Sequence, residues 1–372
     1  MDIANTTVDT IAYADDLVIF AESPFRLQER LDGLAAGLSH AGMVLNPAKC
    51  LTFYVQALGK AKNTPTSFFY ARLTDGGIGL PCLSTSIPLM KQKLLDARLS
   101  SAEVAVRVVS ALPVAVATLH QASRPVINQT VINSKEDARQ MWKEELHRSA
   151  DGRQLAHVGT SAFVHHWLSS PDRLFPWLYL RGIQLRAGVL STKARRSRRK
   201  RLPDTLCHGQ CGQVETLPHI LQSCQVTKDA RIWRHRSIMK SAAAKMRRNK
   251  TDVLLELHGA IHVIDVAVAG EGYMDRVYTG KVNRYSTDEI ANNLRAIFGK
   301  PSDYPVLHKP AIFSSRGGIL RSSEKHLKTI GLTDYDISDL CVCAIRGSLK
   351  AYDVYTRGAG GHRRQPPTAT RQ

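Results

Sequence analysis

Four potential metal ligands lie close together in the segment CHGQCGQVETLPHILQSC, residues 207–224. Their spacing is C-x3-C-x7-H-x4-C, and three thiolates with one imidazole form a donor set that suits tetrahedral zinc. A chain that binds zinc here must fold so that all four side chains meet at one point. We therefore predict a zinc site whose ligands are Cys207, Cys211, His219 and Cys224.

The competing interpretation of this segment is a set of scattered buried cysteines with a surface histidine, since free cysteine is often buried. The seven cysteines of the chain are odd in number and unevenly spread. This pattern is unlike the disulfide framework of a small secreted domain. His208 is a spare donor within the segment, and we expect it to be exposed to solvent.

Two adjacent carboxylates, Asp15 and Asp16, interrupt the apolar run IAYADDLVIF at residues 11–20. Burying an unpaired ion is costly, so such acids normally pair with a cation or bind a metal. At the tip of a β-hairpin they would form a rigid mount for Mg2+, which prefers carboxylate ligands. The alternative is a chance acidic turn between two strands.

A second acidic pair lies in KTDVLLELHGAIHVIDVAV, residues 250–268. The segment predicts a β-hairpin with a His-Gly turn, which would bring Asp252 and Asp265 to one edge of a sheet. Two such carboxylates with a nearby lysine can hold Mg2+ against a scissile phosphate. In the alternative interpretation, Asp252 caps a strand and Asp265 pairs with an arginine.

The chain is strongly basic, with 51 Lys and Arg against 32 Asp and Glu and a formal charge of +19. Nucleic acid is the partner that such a charge favours. The block KARRSRRKR, residues 193–201, could be a loop that binds phosphates, a nuclear import signal or a solvated linker. We favour salt-sensitive contact with a DNA or RNA backbone. Its basic residues are Lys193, Arg195, Arg196, Arg198, Arg199, Lys200 and Arg201.

No apolar run approaches the length of about 20 residues that a membrane span requires. The first residues also lack the basic-then-apolar layout of a signal peptide. We expect a soluble intracellular protein with no membrane partner.

Several segments in succession resemble one protein family. AYADDLVIFAES, a helix and then GMVLNPAKC are similar to the palm of non-LTR retrotransposon polymerases. FFYARLTDGGIGLPCL, WLYLRGIQLRAGVLSTKARRSRRKR and the Cys/His segment resemble later landmarks of polyproteins from site-specific non-LTR retrotransposons, which insert into ribosomal RNA genes and carry a restriction-like endonuclease. This resemblance implies catalytic Mg2+ at Asp15 and Asp16, a CCHC zinc knuckle, a DNA target, an element RNA template and action in the nucleus.

The same resemblance extends to a PD-(D/E)xK nuclease core around Asp252 and Asp265. In this family the catalytic lysine has moved from the strand to the following helix, and Lys281 is the matching residue. Thr251 departs from the family, which usually has proline there. Arg231 and His235 match a family segment between knuckle and nuclease. A contact with DNA phosphate and a plain basic helix are equally open interpretations of that segment.

Two departures concern the polymerase. The family has a further metal-binding aspartate well upstream of the hairpin, but only twelve residues precede Tyr13. The primer-grip and thumb stretch after LNPAKC is also much shorter than in the family. We therefore expect a truncated and internally shortened polyprotein that does not polymerise DNA alone, because positioned metals fail when a ligand is missing.

The expected fold is α+β and multidomain. The alternative to a polymerase and endonuclease fragment is a remnant that binds nucleic acid but has lost the activity of both sites. The expected order is a reverse-transcriptase palm remnant at 1–58, a mostly helical thumb-like linker at 59–180, a basic linker with the zinc knuckle at 181–245, a restriction-like endonuclease at 246–356 and a disordered tail at 357–372.

Overall fold

A computed structural model of the chain divides it into two units, 1–62 and 63–372. Each unit is considered by itself. The structure describes residues 2–3, 6–7, 10–13, 16–19, 24–42, 64–112, 125–158, 161–169, 174–198, 204–246 and 253–359. The predicted tail, except for its first three residues, lies outside these ranges.

The first unit contains a β-hairpin followed by a helix, as the sequence pattern predicts. Strands β3 (Thr10–Tyr13) and β4 (Asp16–Ile19) are antiparallel, and the pair nearest the turn is Tyr13 with Asp16. Two shorter strands precede them, and helix α1 begins at a proline, which suits the first helical position because it lacks an N–H. These further elements are β1 (Asp2–Ile3), β2 (Thr6–Thr7) and α1 (Pro24–His40).

The second unit begins with helices and one short hairpin, β5 (Val126–Ile127) with β6 (Thr130–Val131). Helices cover most of the described part of 59–180, the range predicted to be mostly helical, with this hairpin as an exception. The described helices of this half are α2 (Thr66–Tyr70), α3 (Leu83–Leu99), α4 (Val104–Ser110), α5 (Lys135–Arg148), α6 (His166–Ser169), α7 (Pro176–Arg186), α8 (Lys193–Ser197), α9 (Leu217–Gln222) and α10 (Lys228–Lys245). Short 3-10 helices cover Leu73–Asp75, Arg153–His157, Ala162–His165 and Gln225–Thr227.

The later half of this unit contains a three-stranded mixed sheet and, continuing from it, a two-stranded parallel sheet, which together are called the mixed sheet. Its strands are β7 (Val253–Leu257), β8 (Ala260–Ile264), β9 (Val266–Ala269), β10 (Val306–His308) and β11 (Ala311–Ser314). β7 and β8 form the predicted hairpin, and both turn residues, His258 (φ 50°) and Gly259 (φ 73°), have the positive φ of a type I′ turn. β8 and β9 run parallel to β10 and β11, and Asp265 lies at the break between β8 and β9.

Helices connect and cover this sheet. A 3-10 helix follows β9. Helices α11 (Met274–Tyr285) and α12 (Asp288–Phe298) then form the crossover to β10. The 26-residue helix α14 (Asp334–Ala359) packs along α10. Apolar side chains from the strands and from α14, including Ile264, Phe313 and Leu340, share one buried cluster. The remaining elements are Glu271–Tyr273, α11 (Met274–Tyr285), α12 (Asp288–Phe298), α13 (Arg321–Thr329) and α14 (Asp334–Ala359).

The mixture of helices and strands, with helices in the majority, confirms the α+β class at that level. Within the described ranges, no helix combines the length and the apolar character needed to cross a bilayer.

A stacked pair of buried histidines lies at this sheet. We expect it to make the free energy of unfolding of the protein depend on pH. The rings of His262 and His326 are 5.4 Å apart and nearly parallel. Burial, with smaller effects of Lys309 and His262, lowers the pKa of His326 from 6.5 to about 4. Between these two pH values the unfolded chain binds more protons, so the free energy of unfolding falls as the pH is lowered.

We predict that His326 alone lowers the free energy of unfolding by about 2 kcal/mol when the pH is lowered from 7 to 5. His326→Phe, which keeps an aromatic ring in the stack, should remove this part of the pH dependence. Urea unfolding at the two pH values measures it. His258→Asn, at an exposed turn histidine, is the matched control and should keep the parent slope; a parent slope in His326→Phe would contradict the assignment.

Candidate metal centre and nucleic-acid cleft

The Cys/His segment folds so that its four predicted ligands converge. An isolated bridge between Leu206 and Val214 closes the first loop, in which Gln210 and Gly212 have positive φ. Helix α9 then starts after Thr216, whose side chain accepts a hydrogen bond from the His219 backbone N–H. A side-chain oxygen is a favourable helix cap because it satisfies a free donor of the first turn. His219 therefore faces the first loop from the start of a helix.

All four ligand atoms of Cys207, Cys211, His219 and Cys224 lie within 4.8 Å of one another. Cys207 Sγ is 3.6 Å from Cys224 Sγ, and Cys211 Sγ is 3.1 Å from His219 Nε2. In tetrahedral zinc, bond lengths of about 2.0–2.3 Å give ligand separations of roughly 3.3–3.8 Å. The donor set and its spacing thus fit a closed zinc site, in which the metal would hold the knuckle together.

Neighbouring groups orient these side chains and shift their pKa values. Ser223 Oγ lies 3.1 Å from His219 Nδ1, which leaves Nε2 to face the thiol of Cys211. Burial raises the pKa of Cys207, but hydrogen bonds from Tyr355, Cys211 and Gly209 outweigh it and set the pKa below its ordinary value. Burial lowers the pKa of His219, which favours the neutral imidazole that metal binding requires.

Burial raises the pKa of Cys224 to about 11. Zinc binding would have to displace this proton, so zinc affinity should depend on pH.

The expectation that His208 is solvent-exposed is wrong. Its ring centroid lies 3.9 Å from that of Tyr355, and its side chain is only 20% exposed. Glu215, also buried, places a carboxylate oxygen 3.6 Å from His208 Nδ1. Sequence reasoning missed both Glu215 and Tyr355 because neither is a zinc ligand and Tyr355 lies far along the chain.

Asp265 and Lys281 meet at the sheet. The Nζ of Lys281, on α11, forms an ion pair with Asp265 Oδ2, and both side chains are about four-fifths buried. Lys281 lies on the helix that follows the strands, and its catalytic role stays a prediction. Asp252 lies outside the described residues, but it and Asp265 are the next residues in sequence beyond the last hairpin pair, Val253 with Ile264.

A cleft of about 600 Å³ adjoins this ion pair. Strand β9 contributes Val266–Val268, and helix α10 contributes five basic side chains. The basic residues that line the cleft are Lys228, Arg231, Arg234, His235, Arg236 and, from α11, Lys281. Burial, together with the charge of Arg231, lowers the pKa of Arg234 to about 10. These crowded cations make the cleft a suitable site for a polyanion.

Two predicted nucleic-acid contacts, Arg231 and His235, lie in this cleft but also have structural partners. Arg231 donates from both Nη atoms to the carbonyls of Gln222 and Cys224, and His235 Nε2 donates to the Val266 carbonyl at 2.8 Å. Each therefore ties α10 to a neighbouring element while its remaining surface lines the cleft.

The prediction of a loop at 193–201 is wrong over its first five residues, which form α8. Arg195 is buried and pairs with Asp151, so it is not positioned to contact a phosphate. Lys193 pairs with Asp204 at 2.6 Å, and Arg198 pairs with Asp151 at 2.8 Å. Arg196 is exposed. Arg199, Lys200 and Arg201 lie outside the described residues.

The polymerase prediction concerns the first unit only. The backbone of Asp16 begins β4 opposite Tyr13, as expected for a hairpin tip. Asp15 lies outside the described residues, so its role as a Mg2+ ligand stays a prediction.

Comparisons with known proteins point in one direction. No family model matches the chain. It is 27% identical to the retrovirus-related Pol polyprotein from the type-2 retrotransposable element R2DM of Drosophila melanogaster, over 91% of this chain and 34% of that protein. A Pol polyprotein from a type-1 retrotransposable element R2 of Popillia japonica is 28% identical over 73% of this chain and 40% of that protein. Another from Popillia japonica is 24% identical over 82% of this chain and 67% of that protein.

The chain therefore spans little more than a third of the length of the first two relatives. These similarities confirm the resemblance to non-LTR retrotransposon polyproteins that the motifs indicate.

We predict that the purified chain binds about one zinc ion, and that Cys224→Ser loses it, because a structural zinc site needs all four ligands. Metal analysis by mass spectrometry measures the content after dialysis. Cys343→Ser, at a partly buried cysteine outside the cluster, is the control and should retain zinc. A parent chain without zinc would contradict the assignment.

Proposed function

We propose, for a chain that is a relative of the R2-type non-LTR retrotransposon polyproteins, that the unit holding the Cys/His cluster and the mixed sheet is a metal-dependent endonuclease that nicks DNA. The observation that carries this proposal is the buried ion pair of Asp265 and Lys281 beside a cleft lined by basic side chains. A carboxylate, a lysine and a phosphate-binding surface are the parts that such a nuclease requires.

The proposed catalytic set is Asp252, Asp265 and Lys281. The two aspartates would hold Mg2+, which supplies Lewis-acid stabilisation of the phosphate and activation of a water when bound. Lys281 offers a positive charge to the phosphate oxygens, where charge increases in the transition state. In the structure this ammonium forms an ion pair with Asp265.

The cleft binds the DNA backbone in this proposal. Lys228, Arg231 and Arg236 of α10 all line the cleft and would contact phosphates of the backbone, with the Lys281 ammonium near the scissile one. Contacts of this kind carry no sequence information but fix the strand in place. Their contribution should fall steeply with added salt.

The remaining assignments follow from the relatives. The Cys/His cluster is proposed as a CCHC zinc knuckle, residues 1–58 as part of a reverse-transcriptase palm, and the segment between them as a thumb-like linker. The target DNA, the element RNA and the nucleus are the proposed partners and location.

The second candidate function is nucleic-acid binding without catalysis. It is favoured by one observation, namely that several predicted DNA contacts, Arg195 above all, already have buried partners within the protein. The two candidates differ in whether the chain cuts the DNA that it binds.

We predict that the full chain nicks supercoiled plasmid with Mg2+ and not with EDTA. Asp265→Ala and Lys281→Ala should each reduce the rate by about 100-fold or more, because each removes charge stabilisation from the reacting phosphate. Gel analysis of nicked product measures the rate, and fluorescence anisotropy in EDTA should show little loss of DNA binding by Asp265→Ala.

A matched control is the ion pair of Lys328 and Asp334, 2.6 Å apart and outside the cleft lining. Lys328→Ala and Asp334→Ala should nick at the parent rate. Full activity in Asp265→Ala would reject the site, and a parent that binds but never nicks would favour the non-catalytic candidate.

A further inference from the structure

The C-terminal helix α14 reaches the Cys/His cluster through one buried tyrosine. Tyr355 is 2% exposed, and its hydroxyl lies 3.3 Å from Cys207 Sγ. The same hydroxyl lies 2.9 Å from Glu215 Oε2. The phenol is thus placed between a sulfur that would bind zinc and a buried carboxylate.

A hydroxyl at this point has a specific electrostatic effect. When zinc is bound, Cys207 is a thiolate, so two anionic groups face each other across the phenol. The hydroxyl is the donor between them, and its single proton is shared between the sulfur and the carboxylate oxygen. Groups that hydrogen-bond to metal ligands orient those ligands and typically change metal affinity by about 10- to 100-fold.

We propose that Tyr355 is a positioning residue of the zinc site, which hydrogen-bonds the Cys207 thiolate and makes zinc binding depend on the C-terminal helix. The proposal concerns the zinc site and does not rest on the nuclease activity.

Glu215 holds the phenol in this position. Its other carboxylate oxygen accepts a hydrogen bond from the backbone N–H of Lys193 at 2.8 Å, at the start of α8. With one oxygen fixed by α8 and the other by Tyr355, the carboxylate cannot turn away from the phenol. The zinc segment, α8 and α14 therefore share one hydrogen-bond network.

The opposite half of α14 lies in the core of the mixed sheet. Ile337, Leu340 and Ala344 are fully buried with the strands. Since one continuous helix joins these residues to Tyr355, zinc binding at the knuckle should stabilise the C-terminal part of a helix that also supports the sheet.

The test compares Tyr355→Phe with Tyr352→Phe in the full chain. The Tyr352 hydroxyl donates to the Ser191 carbonyl at 2.7 Å and has no cysteine contact, so it is a matched control one turn away. Competition with a chromophoric chelator should show a zinc affinity that is about 10- to 100-fold weaker in Tyr355→Phe and close to the parent value in Tyr352→Phe. Circular dichroism of the zinc-saturated variants checks that both are folded.

Cobalt(II) gives a readout that general destabilisation would not move. At saturating cobalt, the thiolate-to-cobalt charge-transfer band should shift to lower energy in Tyr355→Phe, because the thiolate loses a hydrogen bond, and should not shift in Tyr352→Phe. Parent-like affinity and an unshifted band in folded Tyr355→Phe would overturn the proposal. A parent without zinc would instead overturn the metal assignment itself.

If Tyr355→Phe does not fold, 3-fluorotyrosine at position 355 keeps both ring and hydroxyl. Its fluorine resonance should be shifted or broadened by cobalt relative to zinc, because the paramagnetic ion would lie close to the ring. A resonance that is the same with both metals would overturn the proposal.

Discussion

The burial of Arg234 between two helices is the interaction on which the second unit most depends. Its side chain is 2% exposed, and it donates to Ser348 Oγ of α14 at 2.8 Å and to the Leu221 carbonyl of α9 at 3.0 Å. A buried charge is tolerated only when it has such partners. One side chain of α10 thus connects α9 to the C-terminal helix α14.

A close approach of the helices makes this contact possible. At Gly347 of α14, a Cβ atom would lie 2.3 Å from Arg234 Cγ, so a larger residue would force the two helices apart. Helix α10 also carries the basic side chains that line the cleft. The distance between α10 and α14 at Gly347 therefore determines the positions of Arg231 and His235. The packing of α10 on α14 therefore supports the helix that lines the cleft.

The local parts of the candidate site could be predicted from the sequence. Ligand spacing, a capped helix and a His-Gly turn are encoded within segments of about 20 residues. The structure brings the four Cys/His side chains together and forms the expected hairpin. Lys281 was found through resemblance, since nothing in the spacing from Asp265 distinguishes it from other lysines. The sequence could not reveal that Arg195 is buried against Asp151 or that His208 stacks on Tyr355. Those contacts depend on how distant segments pack, and a basic run in sequence does not show which of its members face solvent.

Mn2+ binding tests most directly whether Asp265 belongs to a divalent-metal site. With the zinc site saturated, the electron paramagnetic resonance signal of free Mn2+ reports how much the chain binds, independently of DNA and of cleavage. We expect the parent to bind Mn2+ and Asp265→Asn to lose most of this binding. Asp353→Asn, at a carboxylate paired with Arg181, should bind as the parent does. Undiminished Mn2+ binding by Asp265→Asn would show that Asp265 is not a metal ligand.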